Sequence, residues 1–212
     1  MTDHSRIIIS WLGLRRLIGI IGLLHPLILW IGGTIIFSTP LQSSMSAYYY
    51  TDMRDVFVGL GFVTGFFLLA YKGYDTHDRI VSYLAGFTAI IVALFPAAPA
   101  VNPTKAEQII GLIHVGTAFI FLLALSYFCI VLFPKGIAST FTVKKRLRNT
   151  IYRACGATII ISLAVVGFYF APTPLQPILD PYHPVFFGEL IAFVAFGFAW
   201  LVKGQAILKD EN

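Results

Sequence analysis

Six apolar runs, each parted from the next by a short polar connection, constrain this chain more than anything else in its sequence. They occupy residues 17–37, 56–71, 80–95, 109–133, 154–170 and 185–202. A helix needs about 20 mostly apolar residues to cross the hydrocarbon of a bilayer, and these runs, some slightly short, read as six such helices. Composition argues against one large soluble core. Hydrophobic residues make up 58% of the chain and charged ones only 12%, against roughly 25% charged in a soluble domain. A chain of this length leaves much of its surface outside any core, so lipid is the expected solvent. The expected class is all-α: a polytopic membrane protein, a six-transmembrane-helix bundle forming one domain over residues 1–212.

Charge gives the direction. With the N-terminus placed in the cytoplasm, thirteen of the fifteen basic residues fall on the inner side, and only Arg54 and Lys105 fall outside. An excess of Lys and Arg in short loops marks the cytoplasmic face. The expectation is N-in and C-in, multi-pass, in the inner (plasma) membrane. The net charge of +5 is then a matter of topology, and without a nucleic-acid-binding motif it does not point to nucleic acid. The KKRLR cluster of Lys144 to Arg148 reads as the main anchor, able to meet anionic headgroups. The IIISWLGL stretch before the first run extends that helix or lies along the inner interface. Cys129 and Cys155 sit in apolar runs and read as small core residues, not a disulfide.

Hydrogen-bonding capacity gathers in SAYYYTDMRD at 46–55, the expected outer loop ahead of the second helix. Tyrosines suit a membrane–water boundary. Asp52 is positioned to cap the second helix, with Asp55 in its first turn. Beneath this loop lie ionisable groups that a membrane span normally excludes: His114 and Glu189 at a shared depth, and His25 nearer the midplane. Helical spacing puts the histidines and Glu189 beside small residues, Gly22, Gly111, Ala118 and the Gly188–Ala192–Ala195–Ala199 stripe, so they are expected to face the bundle interior. Gly61 and Gly65 add a packing signal on the second helix.

The resulting expectation is an outward-facing pocket lined by Asp52, Arg54, Asp55, His114, His183 and Glu189, with Tyr48 and Tyr50 at its mouth. A bundle lock, in which Glu189 and His114 bond each other or a backbone group, is the alternative. No cofactor is expected. Zinc, were it held, would take His114, His183 and Glu189 or Asp55, although no paired-histidine motif fixes two ligands on one helical face. The difference in depth between His25 and His114 argues against paired haem ligands. On the inner side, GYDTHDR at 73–79, with Asp75, His77 and Asp78, reads as a solvated turn anchored by Arg79.

These features together resemble the DRAM/FRAG/Sfk family of six-helix membrane proteins. The resemblance rests on Ser46, Asp55 and Phe57 around the second helix, on His114, Ala118, Phe121 and Tyr127 in HVGTAFIFLLALSY, and on His183 with Glu189. The chain is more closely similar to uncharacterised bacterial six-helix membrane proteins sharing the SAYYYT…RDVFVG pattern. It departs from the wider family in lacking a Ser-Asp-Thr-Gly-like loop and in placing Leu190 after Glu189, where a Trp is usual. The family resemblance implies work on or with membrane lipids. The pocket is accordingly expected to bind, sense or remodel a lipid or amphiphile. A small transporter or channel, a metal-dependent lipid hydrolase or acyltransferase, and a structural partner subunit remain as alternatives. Membrane lipids are the expected partners, and a second copy of the chain or another membrane protein is a further candidate.

Overall fold

The computed structural model describes residues 10–99, 101–136, 142–170 and 175–209. No strand occurs among them. Six long helical segments carry the fold: α1 Trp11–Phe37, α2 Arg54–Ala70, α3 Thr76–Leu94, α4 Lys105–Leu132, α5 Val143–Phe170 and α6 Pro184–Lys203. All but α2 are long and apolar enough to cross a membrane. α2 has 17 residues, about 26 Å of helix at 1.5 Å per residue.

Local chemistry explains where the helices begin. The Ser10 hydroxyl accepts from Gly13 N–H at 3.0 Å and starts α1 at Trp11. The IIISWLGL stretch is thus helical from Trp11 onward, and its isoleucines lie outside the described residues. Asp75 accepts from Asp78 N–H at 2.9 Å and starts α3, while Thr104 and Glu107 form a reciprocal capping box on α4. α5 begins at Val143 rather than at 154. Apolarity marks only the middle of that helix, because Lys and Arg are good helix formers and carry it through KKRLR.

Asp52 does not cap α2. The cap position is Met53, and Asp52 stands exposed. A single 3-10 turn at Ser46–Tyr50 leaves Thr51 extended, and the Thr51 hydroxyl accepts from Met53 N–H at 3.2 Å. The turn thus brings a hydroxyl to the helix start one residue ahead of the carboxylate.

Each helix packs on its sequence neighbours, and α6 returns to pack on α1. The six therefore form a closed ring in chain order, which short antiparallel connections favour. The closing contact is tight. A Cβ added to Gly19 would lie 2.8 Å from the Gly197 carbonyl oxygen, and one added to Gly197 would lie 2.6 Å from that of Gly19. Gly65 and Gly86 bring α2 and α3 together in the same way. The small stripe Gly188, Ala192, Ala195 and Ala199 is buried, as helical spacing led us to expect.

Two apolar clusters fill the ring. One centres on Trp200, whose ring meets Tyr71, Phe133 and Phe128 at centroid distances of 4.9, 5.0 and 5.6 Å. It includes Cys129 and Cys155, both buried and unbridged. The other, toward the tyrosine loop, gathers Leu29, Met45, Tyr48, Met53, Phe57 and Phe186. The outward faces are also apolar: Ile35, Phe66, Phe87, Leu112, Ile161 and Phe168 are each more than half exposed. A soluble monomer seldom exposes apolar patches beyond a few hundred Å², so this surface suits lipid.

Replacing Gly19 by Val should force α1 from α6 and cost about 1–3 kcal/mol. It would be read as a lower melting temperature of the purified protein. Gly59→Ala, where an added Cβ meets nothing within 4 Å, should leave that temperature unchanged or slightly higher.

Candidate functional site

Between the two clusters lies a cavity of about 50 Å³. Three ionisable side chains line it: His25 from α1, His114 from α4 and Glu189 from α6. The rest of its wall is mainly apolar, with Phe57, Phe121 and Phe193 prominent, and Ser46 of the tyrosine loop at one side.

Each polar group is held differently. His114 Nδ1 lies 2.6 Å from the Phe95 carbonyl oxygen. A carbonyl only accepts, so Nδ1 carries the proton and a neutral ring keeps Nε2 as an acceptor. Glu189 accepts from Met45 N–H at 2.6 Å, and the Phe186 N–H donates to Ser43 O at 3.0 Å. Together these two bonds stitch the 38–53 loop onto the start of α6. His25 is 3% exposed and packs against Phe57 and Phe193, yet neither ring nitrogen has a partner among the described residues. Leaving a buried polar group unpaired costs about 1–3 kcal/mol. Just past His25, α1 carries Pro26 inside the helix and then widens into a π turn over Ile28–Gly32. Proline removes one helical hydrogen bond and crowds the preceding turn, and π turns often occur at functional sites.

His114 and Glu189 line one cavity, and His25 lines it with them. α4 begins at Lys105, before its apolar run, and a π turn follows His25 along α1. The other candidates lie elsewhere. Tyr48 is wholly buried in the cluster beside the loop. Tyr50 is half exposed and donates to Ala97 O at 2.7 Å. Asp52, Arg54 and Asp55 are exposed at the surface. The Arg54 guanidinium lies 4.3 Å over the Tyr49 ring and donates to its hydroxyl. His183 begins α6 in the left-handed backbone region at φ 48° and does not line the cavity. Asp180, just before it, accepts from the Tyr169 hydroxyl at 2.5 Å.

The donors named for zinc are not gathered. Among the described residues, the group of three whose ligand atoms approach within 4.8 Å is Asp75, His77 and Asp78. That turn is mostly exposed, as its sequence suggests, apart from Asp78. Asp78 is 1% exposed and accepts from Tyr74 N–H at 2.8 Å. Lys135 pairs with Asp78 and, at 2.8 Å, with Asp75. His77 Nε2 lies 3.1 Å from the Tyr127 hydroxyl. The Lys135 ammonium already occupies the place where a cation would meet both carboxylates. Sequence alone could not pair Lys135 with this turn, because the two are joined only by the packing of α3 against α4.

No family model, curated protein or solved structure matches the chain.

The Lys135 ammonium, with the Asp78 N–H, holds the Asp75 carboxyl below its ordinary value. A lowered folded value means that Asp75 stabilises the fold above the ordinary aspartate range, near pH 4. That contribution is lost as pH falls through the lowered folded value. Melting temperature should therefore fall below about pH 4 in the native chain and less steeply in Lys135→Met. At neutral pH the same variant, which strands the buried Asp78, should lose about 3 kcal/mol or less, since Lys135 is partly exposed.

Proposed function

We propose that this chain is a six-span protein of the inner membrane, with both termini cytoplasmic, whose internal cavity binds the small polar end of an amphiphile. The convergence of His25, His114 and Glu189 on one mainly apolar cavity carries the reading. Ionisable groups at such depth usually serve function. The closed ring supports six crossings: α2 lies between α1 and α3, and a slightly short span is accommodated by modest bilayer thinning. The basic residues at the end holding Arg15, Lys135 and Lys203 support the orientation.

Size selects the ligand class. A water needs roughly 10–15 Å³ of such space, so a cavity of about 50 Å³ takes a few waters or one compact group. A phosphate-bearing headgroup is too large. A hydroxyl or an amine fits, with the carboxylate and Nε2 of His114 as acceptors and His25 able to donate or accept. The phenylalanines of the wall would hold the first carbons of the attached chain.

A second reading is an ion or proton path through the same groups, favoured by the π turn beside His25. Flux in proteoliposomes that His25→Leu abolishes would promote it over binding.

Native mass spectrometry of protein gently extracted from its own membrane tests the first reading. Glu189→Gln keeps an acceptor for Met45 N–H, so the loop should stay closed and the melting temperature should stay within a few degrees. We expect the native chain to retain an amphiphile that both Glu189→Gln and His25→Leu lose. Retention of the same mass by both variants would overturn the assignment.

A further inference from the structure

At the end of the bundle opposite the tyrosine loop, a second cavity of about 490 Å³ opens among four helices. Five cations line it: Arg15 of α1, Lys135 just past α4, Lys145 and Arg148 of α5, and Lys203 of α6. Among the described residues of its wall there is no carboxylate. Asp75 and Asp78, beside the wall, are engaged by Lys135.

Packing forces these charges together. Lys203 is 7% exposed. Its ammonium donates to Phe133 O at 3.1 Å, and Lys145 donates to that same carbonyl at 3.2 Å. One neutral oxygen thus holds two ammonium groups side by side. The Tyr74 ring is near two cations, 4.9 Å from Lys203 Nζ and 6.0 Å from the Arg15 guanidinium carbon. Tyr152 lies 5.9 Å from Lys203 Nζ. Such ring contacts lower the cost of burying a cation but cancel none of its charge. Arg15 Nε is buried without a partner among the described residues.

A topology anchor does not require this arrangement. Lysines and arginines that merely mark a membrane face extend into water or along headgroups, whereas Arg15 and Lys203 turn inward around a shared volume. Positive charge inside a low-dielectric wall focuses field on an anion. The volume lies within the range of small-molecule sites, and basic pockets between membrane helices suit phosphorylated headgroups. Arg and Lys are the side chains that bind phosphate oxygens by charge-assisted hydrogen bonds.

The geometry points to a binding site for a phosphate group here, carried either by an anionic lipid headgroup or by a free phosphate compound, with Arg15 and Lys203 as its principal ligands. The site is separate from the His25–His114–Glu189 cavity and stands or falls independently of it.

Titration calorimetry on the full chain in nonionic detergent tests this with a short-chain phosphatidic acid as probe. A diacylglycerol of the same chain length, lacking only the phosphate, is the control. We expect phosphatidic acid to bind and diacylglycerol not to bind. Lys203→Met and Arg15→Gln should each weaken phosphatidic acid binding tenfold or more, about 1.4 kcal/mol. Lys72→Gln, an exposed lysine outside the pocket, should leave it unchanged. If inorganic phosphate displaces the probe, the ligand is a free phosphate compound; if it does not, the ligand is a lipid headgroup. Should one pocket variant fail to fold, the other decides. Equal binding of diacylglycerol, undiminished affinity in the folded pocket variants, or an equal loss in Lys72→Gln would overturn the site.

Discussion

The close contact of α1 with α6 at Gly19 and Gly197 closes the ring, and both candidate sites depend on it. Moving along α1 from that contact toward the tyrosine loop, the chain passes Gly22 and reaches His25; moving the other way, it reaches Arg15 within about one turn. Along α6, Glu189 precedes the contact and Lys203 follows it. One backbone approach therefore sets the partners of two sites at once. A bulkier residue at the contact would part His25 from Glu189 and Arg15 from Lys203 together.

The two ends of the bundle solve different electrostatic problems. Toward the tyrosine loop the ionisable groups are few, held singly, and surrounded by phenylalanine. Glu189 has a structural duty as well, since it ties Met45 to α6. This part of the site does what a bundle lock would do, while His25 has no such bond and faces the cavity. At the other end, among the described residues, five cations line one cavity. A carbonyl oxygen and aromatic rings hold Lys203 in place without cancelling its charge. Lys135 is balanced by Asp75 and Asp78.

Apolar run length and helix-forming composition were enough to make the all-helical class legible, along with six helical segments and the small-residue faces that pack. Those properties are local: a run of Leu, Ile and Phe between polar connections can be helical and lipid-compatible whatever its neighbours do. The inward orientation of His114 and Glu189 was legible too, because 3.6-residue periodicity places them beside glycine and alanine. The helix starts at Val143 and Lys105 were not, since hydropathy falls before the helix ends and capping chemistry decides the boundary.

What the chain's own order determined was which segments become helices and which face of each can approach another. Only the tertiary structure decided that Asp52, Arg54 and Asp55 stand outside the cavity while His25 lines it. It also decided that basic residues drawn from distant parts of the chain enclose one pocket. The physical reason is that depth and facing depend on helix offsets, on a π turn and on a ring closure between the first and last helices. Each of those is set by contacts between segments far apart in the chain, where a count of residues along any one helix carries no information.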